Sequence, residues 1–355
     1  MSTLFMIGNG FDLNCGMKTS YKDVYRGYVK EKSDSNLINQ FKKDISADID
    51  NWSDFEMALA RYAGKFRDEN ELLECCRDFN VYMSKYLNGE MEKFQNIYNL
   101  NKDKLRTEFL GSLTGFYKGV SHNVDNIMKE REIADVLRMS VISFNYTRAF
   151  DLLFSDIYKI SDIYKNIEMN ANEIIHLHGV LSDDPVLGID NENQLNTTFP
   201  LSKRGKRSFL KPVFNENYDS ERVRRAKLQI ASSSTICCFG LSMGESDLTW
   251  RNEIINWLNE NIDHHLFLYH YKLSSIIFRT ADEKMDKEDD EKEKLLAEWG
   301  VTNEELLDQI HIPCGRNIFN IEKKLMEEKT QQGDIDDISS IKNTTNIIAS
   351  MVPAL

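Results

Sequence analysis

The chain has 355 residues, 41% of them hydrophobic and 28% charged, a composition of ordinary soluble globular proteins with room for about two domains or one carrying a large insertion. Its net charge of −13 argues against a non-specific grip on nucleic acid, which depends on Lys and Arg displacing counterions from phosphates. No apolar run approaches the roughly 18 residues of a membrane span and no basic leader with a cleavage site opens the chain, so a cytoplasmic protein without a membrane partner is expected.

The apolar run from Leu4 to Ile7 ends in Gly8-Asn9-Gly10, which predicts a fully buried strand feeding a glycine turn and then a helix. Such a turn can offer backbone N–H groups to a phosphate at the helix N-terminus. The dinucleotide fingerprint is incomplete, because Leu13 stands where a third glycine would be and Asp12 adds a negative charge beside the proposed phosphate. Ser20 and Asp23 then read as a helix start, and helical stripes follow without interruption: Leu37, Phe41 and Ile45; Trp52, Phe55, Leu59 and Tyr62; Leu72 through Ile97; Leu105 through Val120. Each stripe is a packing face. Together they predict a helical insertion over 31–135.

The sheet resumes with Met139–Phe144, running into Asn145-Tyr146-Thr147, where Thr147 is expected to cap a helix carrying Phe150 and Leu153. A third strand reads Glu173–His178 and Val186–Asp190 suggests a fourth. Five basic residues between Lys203 and Lys211 suit either a phosphate-holding loop or a solvated linker. Thr235–Phe239 is another buried strand, closing on Gly240-Leu241-Ser242, after which Asp247 reads as a helix cap. Leu266–Tyr269 and the edge strand Ile310–Ile312 complete the sheet. Between them, Asp282–Lys294 holds eight acids and four bases, a solvated helix face or loop, and Thr302 with Glu305 forms a capping-box pattern. The polar stretch 329–355 reads as a tail. Six cysteines, two adjacent pairs and two singles, lack zinc spacing and are expected to be reduced core residues.

Four strand ends therefore finish in polar or glycine residues, and a parallel sheet binds ligands beyond such ends. Their joint content is a glycine turn, the Asn145 carboxamide, the His178 imidazole before Gly179, and the Gly240–Ser242 turn. These segments, IGNGFDLNCGMKTSY at 7–21, ISFNYT at 142–147, IHLHG at 175–179 and CFGLSMGESDLTW at 238–250, resemble the abortive-infection AbiH family of bacterial anti-phage proteins. More distantly, their order is similar to the sirtuin fold, in which a glycine turn, an Asn segment, a His-Gly pair and a second turn surround NAD.

The resemblance implies a Rossmann-like, sirtuin-like α/β fold over 1–30 and 136–328, wrapped around the insertion. It implies NAD phosphates at Gly8 and Gly10, with Asn9, Phe11, Asp12 and Tyr146 beside the nucleotide and Gly240 and Ser242 on the adenine-ribose side. Asn145 and His178 take the catalytic places. Thr147 stands where sirtuins carry an aspartate, and the zinc ribbon is missing, which turns the expectation from deacetylation to NAD hydrolysis. That reaction needs a positioned water, a base of near-neutral pKa and a dry pocket for the ribose. His178 suits the base and Asn145 can orient the water or the ribose.

Plainer readings stand beside these. His176 and His178, on one strand face, form a pair without a third metal ligand, so no metal is expected and His176 takes a structural role. Asn145 could simply turn the chain. Asp12 suits a ribose hydroxyl or the tying of its own turn equally well. Asp247 reads as a cap rather than a catalytic acid. The alternative function is a non-catalytic NAD or ADP-ribose sensor signalling to a partner protein. The resemblance also leaves room for a homo-oligomer and for a phage-derived trigger or regulatory partner.

Overall fold

A computed structural model of the chain describes residues 2–321 apart from 121–123, 125, 131–136, 156–166, 182–186 and 219, so the predicted tail lies outside the described residues. Six parallel strands form one sheet: β1 (Ser2–Ile7), β2 (Leu137–Ser143), β3 (Ile167–His176), β4 (Thr235–Phe239), β5 (His265–Tyr269) and β6 (Ile310–His311). Their order is β3-β2-β1-β4-β5-β6. This is the doubly wound order, in which connections leave β1 in one direction and β4 in the other, opening a crevice between their carboxyl ends.

β1 lies at the centre, and Leu4 to Ile7 are wholly buried. Phe5 and Ile7 join a phenylalanine-rich core with Phe109, Phe116, Phe150 and Phe154 on one face, while Leu4 and Met6 meet Ile230, Ile254 and Trp257 on the other. Helices on both faces explain why the strand reads as an unbroken apolar run instead of an alternation. The expected mostly parallel sheet with flanking helices and a large helical insertion is what forms.

The insertion contains helices Asn36–Ala47, Phe55–Tyr62, Glu69–Leu100 and Lys102–Gly115. Its own core gathers Tyr25, Phe41, Trp52, Phe55 and Phe79, with the Phe55 and Phe79 rings stacked at 3.8 Å. Leu187, Ile189, Leu201 and Phe209, from the stretch after β3, complete that core.

Three expectations are corrected by this arrangement. Val186–Asp190 does not add a strand to the sheet: Val186 lies outside the described residues, and Ile189 makes only an isolated bridge to Leu210 while its side chain fills the insertion core. The basic stretch is not a loop but the helix Lys203–Phe209, with the Ser202 hydroxyl accepting from the Gly205 N–H at 3.2 Å, followed by a second helix, Lys211–Tyr218. Lys203, Arg204 and Arg207 are exposed on it, whereas Lys211 is buried. The acidic segment also resolves, as the solvated face of helix Ala281–Trp299. Downstream, Asn303 and not Thr302 caps the short turn Glu304–Asp308, accepting from the Glu305 N–H at 3.2 Å.

The two glycine turns pack backbone against backbone. A Cβ on Gly240 would stand 2.4 Å from the Gly10 Cα, and Gly240 has a φ of +64°, which glycine alone adopts without cost. A Cβ on Gly8 would meet the Gly240 carbonyl oxygen at 2.5 Å. The glycines thus let the ends of β1 and β4 approach each other, and this contact forms the floor of the crevice.

Candidate functional site at the carboxyl ends of the strands

A cavity of about 290 Å³ opens at that crevice. Gly8, Asn9 and Asp12 reach it from the end of β1, Asn145 and Tyr146 from β2, His178 from β3, and Gly240 and Ser242 from β4. Gly10 and Phe11 stand apart from it. Gly10 is held against Gly240, and the Phe11 ring is fully buried against Phe109, Phe150, Phe239 and Phe319 in the core beneath.

Four amides of the turn already have partners. Gly8 N–H donates to Phe239 O at 2.9 Å, Gly10 N–H to Gly240 O at 3.0 Å, Phe11 N–H to Gly8 O at 3.0 Å and Leu13 N–H to Asn9 O at 3.1 Å. The following helix, Gly10–Asn14, is only five residues long. Asn9 is tied as well, its Oδ1 accepting from the Thr19 hydroxyl at 2.6 Å and its Nδ2 donating to Thr19 O at 3.1 Å.

The Asp12 side chain reaches across to the end of β2 instead of tying its own turn. Asn145 Nδ2 donates to Oδ1 at 2.9 Å and the Thr147 hydroxyl donates to Oδ2 at 2.6 Å, so both carboxylate oxygens are held by the end of β2. Thr147, expected as a cap, turns its hydroxyl to this bond instead. The arrangement fixes the Asn145 amide with its nitrogen inward. Asn145 Oδ1 has no hydrogen-bond partner among the described residues, although it is buried.

Burial pushes the Asp12 carboxyl up to about 7, against the opposing pull of the Thr147 and Asn145 hydrogen bonds and with help from the nearby Asp151. A raised carboxylate opposes folding as pH rises. Below pH 3.8 the group is neutral in both states; between 3.8 and about 7 the unfolded chain ionises while the folded one resists, so stability falls. The cost by pH 7 is on the order of 4 kcal/mol. Asp12→Asn is therefore expected to flatten the pH dependence of urea unfolding between pH 4 and 7.5 relative to the wild type. Parallel pH profiles for the two proteins would contradict this assignment.

The two histidines of the His-Leu-His segment do not share a face. β3 ends at His176, and the chain turns through His178 into Gly179, whose φ is +73°. His176 Nε2 lies 2.9 Å from Asp151 Oδ1 on the helix after β2, while His178 swings to the opposite side, its Nε2 3.5 Å from Asp247 Oδ1 and its ring edge-on to Phe144. Among the described residues no group of three or more His, Cys, Asp or Glu is placed to hold a metal.

Three further residues complete the site. Lys211 is buried, with Nζ 2.8 Å from Glu56 Oε2, 3.3 Å from Asp247 Oδ1 and 2.9 Å from Ser246 O. Glu56 Oε1 also accepts from the Gly188 N–H at 3.2 Å and the Tyr146 hydroxyl at 3.5 Å. Asp247 occupies the N-cap position of helix Leu248–Glu260 but makes no side-chain cap bond, because its carboxylate faces Lys211 and His178.

These charges are mutually dependent. Burial raises the Asp247 carboxyl, yet Lys211 and His178 outweigh it and hold the group well below its usual range. Burial raises Glu56, which Lys211 only partly offsets. Burial works against the Lys211 charge, but Asp247 and Glu56 overcome it and keep the ammonium protonated.

The sequence carried faint signals for two of the three. Glu56 interrupts the apolar run from Phe55 to Ala60, and Lys211 directly follows Phe209-Leu210, away from its exposed basic neighbours. With Asp12 and Asp54, Glu56 and Asp247 give the cavity four carboxyl groups on its wall, and among the described lining residues there is no Lys or Arg.

A family model described as bacteriophage abortive infection AbiH matches residues 4–269. The chain belongs to the AbiH family. That span runs from β1 through β5 and takes in every strand end that builds the cavity, so the site is formed by the AbiH region itself. No curated protein and no solved structure gives a match. Among the described residues of this AbiH protein, no helix is long and apolar enough to cross a membrane.

Proposed function

We propose that this AbiH protein is an abortive-infection effector that hydrolyses NAD at its nicotinamide–ribose bond. The observation that carries the reading is a cavity holding Asn145 and His178 within carboxyl-bearing walls that contain no Lys or Arg among the described lining residues.

NAD enters as substrate with a positive charge on the nicotinamide ring. As the bond from C1′ to that ring breaks, the electron pair leaves with nicotinamide and the charge passes to the ribose, giving an oxocarbenium-like transition state. Carboxyl groups on the wall favour a developing cation and a basic wall would oppose it, although Lys211, paired with Glu56 and Asp247 outside the lining, offsets part of their charge. His178 takes a proton from water as the water oxygen bonds to C1′. The products are ADP-ribose, nicotinamide and a proton.

Asn145 has a narrower role than its residue type allows. One Nδ2 hydrogen is committed to Asp12, while the buried Oδ1 has no partner among the described residues, so Oδ1 is the atom best placed to accept from a water or ribose O–H. The residues therefore suit the nicotinamide-ribose half of NAD. The acidic interior and the bonded amides of Gly8, Gly10, Phe11 and Leu13 favour a pyrophosphate lying nearer Ser242, which is exposed.

Incubating the purified protein with NAD and separating the products tests the reading. Nicotinamide and ADP-ribose are expected in equal amounts from the wild type, and Asn145→Ala should leave most of the NAD intact. Recovery of intact NAD bound to the wild-type protein after prolonged incubation would make the cleft a nucleotide sensor instead.

A further inference from the structure

We propose that Asp247, held by Lys211 and through it by Glu56, is the positioning residue for His178, fixing which imidazole nitrogen carries the proton and joining the base to the helical insertion. The inference deepens the reading above and rests on it for the role of His178 as base.

Asp247 sits where an aspartate ordinarily accepts from the N–H groups of the first helical turn, yet it makes no such bond. Its Oδ1 instead lies 3.5 Å from His178 Nε2 and 3.3 Å from Lys211 Nζ. His178 Nε2 is buried and has no hydrogen bond among the described residues, so this carboxylate is the charged group that faces it directly. A carboxylate opposite one ring nitrogen favours the tautomer protonated there. The other nitrogen, Nδ1, is then left as the basic atom.

Lys211 keeps the carboxylate in place. Its three contacts reach Glu56 on the insertion and the adjacent Ser246 carbonyl and Asp247 carboxylate before helix Leu248–Glu260, so one ammonium joins two separate parts of the chain. Among the described residues, the other charged and titratable groups that share a cavity with the ring are Asp12, Asp54, Glu56, Tyr21 and Tyr146, whose ring lies 6.1 Å away, in the first, and Asp190, Glu216 and Lys227 in a second. Asp190 shares with His178 and Lys211 the lining of a second cavity of about 220 Å³, and its Oδ2 accepts from the Thr249 N–H at 2.9 Å.

Removing Asp247 and removing Lys211 should therefore act in opposite directions. Without the carboxylate, the imidazolium loses its stabilising neighbour. Without the ammonium, Asp247 acts on the ring uncompensated.

The test is nitrogen NMR of histidine-labelled full-length protein, with His178→Ala identifying the signal among the seven histidines, together with the pH profile of NAD consumption. In the wild type the neutral ring is expected to carry its proton on Nε2. In Asp247→Asn, which leaves Lys211 on Glu56 and Ser246, the ring should take up its second proton about one pH unit lower, and the acidic limb of the activity profile should move with it. Lys211→Gln should shift both upward by about one pH unit. A purely structural role would lower activity at every pH without moving the limb.

A neutral ring protonated on Nδ1, or one whose protonation is unmoved in Asp247→Asn, overturns the inference even if Lys211→Gln fails to fold. If His178→Ala still consumes NAD while the ring responds as stated, the reading of the reaction fails and the pairing stands.

Discussion

His178→Ala is expected to lower the turnover of NAD by about 10²- to 10⁴-fold, the contribution of a positioned general base. Water must lose a proton as its oxygen bonds to C1′, and the four wall carboxyls are each engaged elsewhere, Asp54 as the helix cap whose Oδ1 accepts from the Met57 N–H at 3.1 Å. Asp247 is held ionised but its charge is engaged by Lys211, and Glu56 is likewise bonded to Lys211. Asp12 has both oxygens occupied by Asn145 and Thr147. The loss should fall on kcat, with KM little changed, because the contact through Asn145 Oδ1 remains and ground-state binding does not depend on the base. Steady-state kinetics with thermal melts of both proteins decide the matter. Turnover within a few-fold of wild type in a folded His178→Ala protein removes His178 from the chemistry.

Lys211→Met should destabilise the fold by about 3–5 kcal/mol, since it strands the carboxylates of Glu56 and Asp247 in the interior. Distance alone does not predict this. Lys22 and Asp50 lie closer, at 2.6 Å, but their side chains are 50% and 87% exposed, and water screens such a pair. Burial separates the two cases, because the interior cannot resolvate a carboxylate whose partner is gone. Adding Glu56→Gln to Lys211→Met should recover part of the loss by removing one stranded charge. Urea unfolding of the single and double variants measures both effects. A single variant within about 1 kcal/mol of wild type would show that water reaches the network.

The parallel sheet could be read from local pattern alone. Leu4–Ile7 and Thr235–Phe239 announce themselves as strands buried on both faces, and the stripe from Leu72 to Ile97 announces the long helix Glu69–Leu100. The edge strand at Ile310 and the Ser20 helix cap, which accepts from the Asp23 N–H at 3.2 Å, formed as expected. All these signals act within a few residues of each other, through period, turn chemistry and the needs of a helix end.

The sequence also picked out the polar strand ends, because a doubly wound topology gathers such ends at one crevice. It determined that Asn145, His178 and the two glycine turns would have neighbours. It did not determine what each neighbour does. The glycines of both turns read as ligand cradles, yet Gly10 and Gly240 use their missing Cβ atoms on each other. His176 and His178 read as one face, but the strand ends between them and a turn separates their partners. Lys211 read as one charge in a basic run suited to a phosphate-holding loop or a solvated linker, and Glu56 drew no reading at all.

Only the tertiary structure brought Glu56, Lys211 and Asp247 together behind His178, from the insertion, from the stretch after β3 and from the turn after β4. The physical reason is range. Hydrophobic period and turn geometry are set by adjacent residues and leave a local trace, whereas the cost of burying a charge depends on which distant charge folds against it, and the chain's local pattern carries no record of that partner.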